Sequence, residues 1–294
     1  MEAAEPAVVT VGLDGSPESL TAARWAAAEA ERRHGVLRLL HAWVLLATGE
    51  TDTPQIRERN QGAREVAAEG LRCVRDRHPD LPVIEDLVGE EPEPALLRAA
   101  AESQVLVLGT RALGGVAGFT MGDTSQYVVG RADGVVVLVR AGLPEEEGAS
   151  TPREPRVAVG LSLHGSCDEV LGFAFAAAKA RALPLHAVHG RALPGSAYAP
   201  RGSQSDVERQ VYEAAEHDVV AALQPWREKY PEVPVQLSVV LASSAQVAVH
   251  CAQGADLLVV GRRNRHARFG PHLGPVAHAV VHHARCPIAV VPQR

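Results

Sequence analysis

A chain of 294 residues holds, at roughly 150 residues per domain, material for about two domains. Hydrophobic residues make up 46% of it and charged residues 22%, a balance that supplies packed cores and excludes intrinsic disorder. The formal net charge is -6, and its Lys and Arg residues are dispersed, which excludes the basic face a nucleic-acid partner requires.

In chain order the first half alternates short apolar runs with helical periodicity. VVTVGL at 8–13 predicts a strand, Asp14-Gly15-Ser16-Pro17 a turn, and the alanine-rich stretch 18–34 a helix. A strand at 36–44, a helix at 56–77, a strand at 83–88, a helix at 92–102 and a strand at 104–109 follow. A glycine-rich loop then leads to a helix at 124–131 and a closing strand at 134–140. Near-continuous apolar strands separated by helices are the pattern of a parallel sheet covered on both faces.

The second half repeats the first. Gly12 in VVTVGLDGS matches Gly160 in RVAVGLSLHGS at an offset of 148, and Gly109 in QVLVLGTR matches Gly261 in DLLVVGRR at an offset of 152. Val137 and Ala289 in the closing strands share the offset of 152. The chain is thus expected to be two tandem, doubly wound, five-stranded parallel-sheet α/β domains, residues 1–145 and 156–294, joined by a linker at 146–155. The segment AGLPEEEGASTPREP has the Pro, Gly and Glu content of an exposed connection.

No stretch approaches the roughly 18–20 apolar residues of a membrane-spanning helix, and the acidic start MEAAEPAVVTVG lacks a basic flank, so a cytoplasmic location without membrane contact is expected. Cys73, Cys167, Cys251 and Cys286 form no Cys-x-x-Cys pair and read as reduced structural thiols, in helices or before a strand and away from the strand tips.

In an open parallel sheet, ligands sit beyond the carboxyl ends of the strands, where the winding reverses. After the first strand come Asp14, Gly15 and Ser16. After the fourth come Gly109, Thr110, Arg111, Gly114, Gly115, Gly118, Gly122 and Asp123, with Thr124 and Ser125 opening a helix. Glycines let backbone N–H groups converge on an anion, and a helix N-terminus adds unsatisfied donors, so phosphate binding is the expected chemistry. A P-loop and a Gly-x-Gly-x-x-Gly after the first strand are both absent from the sequence.

Over both halves the sequence resembles the universal stress protein family. Its pattern after the fourth strand is Gly, two residues, Gly, nine residues, Gly, then Ser or Thr, with an aspartate after the first strand. Asp14, Gly109 and Gly122 match; Ala112 replaces the second glycine and Asp123 the hydroxyl residue. The resemblance implies the adenine nucleotide alpha hydrolase-like fold and a non-enzymatic regulator of the stress response. It implies ATP as ligand, with the loop on triphosphate and ribose and Asp14 on the adenosine; beside a phosphate, Asp123 calls for a bridging Mg²⁺. In the second copy Ser162, Asn264 and Pro275 replace the corresponding residues, leaving Gly261, Arg262, Arg263, Gly270 and Gly274 as a second, weaker anion site.

Plainer roles stand beside these. Asp-Gly-Ser-Pro before a helix is a good turn in its own right. Trp25 reads as a core residue with Phe175 as its counterpart, His41 and His186 as equivalent structural positions, and His278 with His282 as a helical-face pair rather than a metal site. An adenylating ATP pyrophosphatase requires Ser-Gly-Gly-x-Asp-Ser where this chain has Leu13-Asp14-Gly15-Ser16. A structural dimer that binds no nucleotide is the other alternative. The closing strands, apolar and expected at sheet edges, imply by the same resemblance an intramolecular pair of domains and, beyond it, a homodimer, with Pro292 ending the pairing early in the second strand.

Overall fold

The computed structural model describes residues 6–43, 54–112, 119–120, 122–141, 155–163, 165–192, 204–263 and 273–293. The chain divides into two compact units, Met1–Pro144 and Glu145–Arg294. Gly114, Gly115, Gly118 and Gly270 lie outside the described residues.

The first unit runs β1 (Val8–Gly12), α1 (Pro17–Arg32), β2 (Val36–Ala42), α2 (Pro54–Arg75), β3 (Val83–Val88), α3 (Pro92–Glu102), β4 (Val105–Ala112), β5 (Phe119–Thr120), α4 (Asp123–Arg131) and β6 (Val136–Ala141). Its strand order is β3-β2-β1-β4-β6, and every neighbouring pair is parallel. The two-residue β5 folds back antiparallel on the end of β4, pairing Arg111 with Thr120 and Ala112 with Phe119. Glycine spacing gave no sign of that strand, because two residues are too few for a period.

The second unit runs β7 (Val157–Leu161), α5 (Asp168–Arg181), β8 (Leu185–Gly190), α6 (Gln204–Lys229), β9 (Val235–Val240), α7 (Ser244–Cys251), β10 (Leu257–Arg263), α8 (Pro275–His283) and β11 (Ile288–Gln293). Its order, β9-β8-β7-β10-β11, is that of the first unit and is likewise parallel. The strand β11 continues through Pro292 to Gln293 in register with β10, so proline does not cut it short.

Right-handed crossovers place α1 with α2 on one face of the first sheet and α3 with α4 on the other; α5 with α6 and α7 with α8 divide the second sheet alike. The helix α1 presents Ala22, Ala23, Ala26, Ala27 and Ala30, all fully buried, at helical spacing. Methyl side chains let it lie close over the sheet, whose Leu37 and Leu39 each contribute about 1.5–3 kcal/mol by burial. The outermost strand β3 carries Glu85 and Asp86, and Ile84 beside them is 52% exposed. It is the strand that departs from a continuous apolar run.

The internal repeat is tighter than motif matching suggests. His34 and Ala182, 148 residues apart, end α1 and α5 with the same left-handed backbone, at φ 50° and 51°. At that offset Trp25 corresponds to Phe173, and both are half-buried; Phe175, which is fully buried, corresponds to Ala27. Trp25 is therefore neither fully core nor the counterpart of Phe175.

Candidate functional site

The winding of the first unit reverses between β1 and β4, which pair directly from Val9 with Val105 to Val11 with Val107. The carboxyl tips of these strands frame the crevice. Asp14 follows β1, and its carboxylate accepts the Ser16 N–H at 2.9 Å and the Ser16 hydroxyl. Ser16 in turn caps α1, its Oγ accepting from the Ser19 N–H at 3.2 Å. Gly15 between them has φ +80°, a backbone that L side chains rarely adopt. The Asp-Gly-Ser turn thus builds the helix start and holds a carboxylate at the strand tip. Partial desolvation there works to raise the carboxyl pKa, and the hydrogen bonds from Ser16 and Ser19 outweigh it, leaving the group below its ordinary value of 3.8. It is a charged acceptor at neutral pH.

On the β4 side, a Cβ on Gly109 would lie 2.5 Å from the carbonyl carbon and oxygen of Glu18. Glycine is required there because the first turn of α1 rests on the strand. Thr110 is buried and its hydroxyl donates to the Val139 carbonyl at 3.3 Å. Arg111 is exposed, with Nε 3.4 Å from Glu18 Oε1. Gly122 caps α4 without a side-chain hydrogen bond to the helix, and a Cβ there would meet open space. Asp123 opens α4, exposed, and Thr124 donates to Glu93 Oε1 at 3.1 Å, tying the first turns of α4 and α3 together. Ser125 is half-buried in the same turn.

Helix N-termini stabilise the carboxylates of Glu18, Glu93 and Asp123. With Asp14 they make the rim of this crevice acidic, so a phosphate entering it needs the backbone donors of α4 and a divalent cation. A carboxylate such as that of Asp123 is the kind of hard oxygen ligand Mg²⁺ takes. Of the sequence-derived site residues, Asp14, Gly109, Arg111, Gly122, Asp123, Thr124 and Ser125 come to the strand tips, while Thr110 points into the unit. Glu18 and Glu93 escaped the sequence reading, since acidic first-turn residues look like ordinary helix starts.

The second unit closes the corresponding space. Ser162, in the place of Asp14, accepts a hydrogen bond from Arg263 at 3.0 Å. Gln293 lies across the β10 tip: its amide donates to the Ser166 carbonyl at 3.0 Å, and a Cβ on Gly261 would fall 2.7 Å from its side-chain carbon. A cavity of about 40 Å³ is lined there by Ser162, Cys167, Gly190, Ser244, Gly261 and Gln293. Arg262 is buried rather than displayed, and Gly274 caps α8 with open space at its Cβ position. Contrary to the sequence reading, Cys167 sits at the strand tips, capping α5. Burial and the adjacent Asp168 carboxylate push its thiol pKa up, which makes it a poor nucleophile.

The strand registers reassign the histidines. His41 Nδ1 lies 2.8 Å from the Leu13 carbonyl, and His189 Nδ1 lies 3.1 Å from the Leu161 carbonyl, so His189 is the counterpart of His41. His186 corresponds to Arg38. Arg38 pairs with Asp86 at 2.6 Å, and His186 Nε2 meets Ser238 Oγ at 2.8 Å in the same place. The rings of His278 and His282 are 4.4 Å apart, and no group of three metal-binding side chains occurs among the described residues. No helix among them is long and apolar enough to cross a membrane.

Two doubly wound units in tandem, each reversing its winding at a β1/β4-type switch, define the class. The model of the universal stress protein family matches residues 7–140 and again 155–292. The chain belongs to the universal stress protein family. A universal stress protein of Mycobacterium tuberculosis is 30% identical over 295 residues, covering 97% of this chain and 97% of the relative. Another from the same organism is 29% identical over 306 residues, covering 97% and 95%. The crystal structure of a universal stress protein from Archaeoglobus fulgidus matches with a TM-score of 0.70 at 16% identity, covering 98% of both chains.

Proposed function

We propose that the first unit binds ATP and that the chain acts as a nucleotide-dependent regulator in a stress response rather than as an enzyme. The observation that carries this reading is the joint placement of Asp14 and the Gly122-capped N-terminus of α4 at the β1/β4 switch point. Asp14 accepts from the adenosine end. Backbone N–H groups at Gly109, Gly122 and the first turn of α4 face the phosphates, and Asp123 holds the Mg²⁺ that joins carboxylate to phosphate. Ser125 adds a hydroxyl donor. Nucleotide binding engages the tip of β4 and the start of α4, and a partner senses the bound state.

The open space at the Gly122 Cβ position makes Gly122→Val a clean test, since valine there intrudes on the phosphate region without touching the core. Calorimetric titration of the full chain with ATP and Mg²⁺ should give a saturable signal that this variant loses while its melting temperature holds. Absence of a signal in the parent chain at millimolar ATP would reject the reading.

A further inference from the structure

The second unit contains a separate cavity of about 260 Å³, lined by His189, Arg191, Gln210, Val211, Ala214 and Asp218 among others. It lies against α6, whereas the small cavity at the Ser162 position lies against the starts of α5, α7 and α8. The two share no lining residue.

The first unit fills the equivalent place. The backbone N–H of Trp43 bonds to Val88 and that of Arg191 to Val240, which makes Arg191 the counterpart of Trp43. The turns closing α2 and α6, with Leu81 bonded to His78 and Val233 to Tyr230, set an offset of 152 and make Asp218 the counterpart of Val66. In the first unit Trp43 stacks on His41 at 5.9 Å, and Val66 packs over the Gly15 turn, 3.1 Å from its Cβ position. An indole and an isopropyl group that plug one copy are thus a guanidinium and a carboxylate in the other.

These groups stand ready for a ligand. Arg191 and Asp218 have no ion-pair partner among the described residues, and they are not paired with each other although they line one cavity. His189 is 2% exposed, and the Leu161 carbonyl, which only accepts, fixes the proton on Nδ1. In the neutral ring Nε2 is left as an acceptor, without a hydrogen bond among the described residues. One cation, one anion, a buried acceptor and a floor of Val211 and Ala214 complement a small zwitterion. The volume falls just short of the roughly 300 Å³ at which drug-sized sites begin, so it suits a molecule smaller than a nucleotide.

We propose that this cavity binds a free α-amino acid with an apolar side chain, its carboxylate on Arg191, its ammonium on Asp218, and its side chain over Val211 and Ala214. The second unit is then a sensor of a different small molecule from the first.

Calorimetry of the full chain with L-leucine and L-valine tests this, alongside 3-methylbutylamine and 4-methylpentanoate, which keep one charged group of leucine each. At least one amino acid should saturate, and each half-molecule should bind at least about tenfold more weakly, as loss of a charge-assisted bond requires. Arg191→Gln and Asp218→Asn, both at exposed positions, should each weaken the amino acid by a similar factor, and Arg191→Trp, which copies the first unit, should abolish binding. No saturation by either amino acid at about 10 mM, well above any physiologically useful affinity, would overturn the proposal. So would equal binding of a half-molecule, unaltered affinity in the variants, or adenosine being the ligand these variants lose.

Discussion

Asp14 serves two purposes with one carboxylate. It organises the Ser16 cap of α1 and leaves a charged acceptor at the crevice. Asp14→Asn is expected to lower ATP affinity by about one to two decades, the worth of one charged hydrogen bond. The same substitution removes a pH-dependent contribution to stability. Because the folded carboxyl titrates below the unfolded one, that contribution is complete above the ordinary carboxylate range and is lost as pH falls through the lowered folded value. Urea denaturation should therefore separate parent from variant at neutral pH and bring them together in strong acid; a constant gap would show that the carboxylate charge is not involved. The glycines divide by what surrounds them. Gly109→Ala forces a methyl against the Glu18 backbone and should cost about 1–3 kcal/mol, whereas Gly122→Ala should stay within about 0.5 kcal/mol of the parent. Equal stabilities would mean that α1 does not rest on β4 as described.

At the scale of elements, the tip of β11 decides what the second crevice can hold. Gln293 reaches over Gly261 to Ser166, and Cys167 is buried beneath it. Gln293→Ala should open this cavity and raise the rate at which a thiol reagent labels Cys167, read against Cys167→Ser to isolate the signal. An unchanged rate would place the cover elsewhere. Strand β3 and helix α3 were legible residue for residue as VIEDLV and PEPALLRAAAE, because their apolar patterns and flanking prolines mark their ends. The closure by Gln293 was not legible, since it depends on a long side chain crossing between strand ends far apart in sequence. The pairing of His41 with His186 failed for a related reason. Both sit near the end of a strand, yet only register distinguishes a residue facing Leu161 from one facing Ser238. Applying the offset of 148 strictly to His41 would have reached His189 from the sequence alone.

Across the whole molecule the two units share strand order, helix ends and backbone hydrogen bonds, and they differ at the strand tips. A duplicated fold keeps its buried positions because packing tolerates little change, while residues beyond the strand ends diverge at small cost to stability. The tandem repeat, the sheet, the Asp14 crevice and the weaker second copy were therefore readable from the sequence, while the side chains lying across that second copy, Gln293 above all, needed the structure. The crevice at Asp14 is proposed to take a nucleotide, and the crevice at Ser162, with Gln293 across it and a cavity of about 40 Å³, is proposed not to. Native mass spectrometry of the full chain with saturating ATP and Mg²⁺ measures this directly. The prediction is one nucleotide per chain, and none in Gly122→Val. Two nucleotides per chain, or one that survives Gly122→Val, would contradict it.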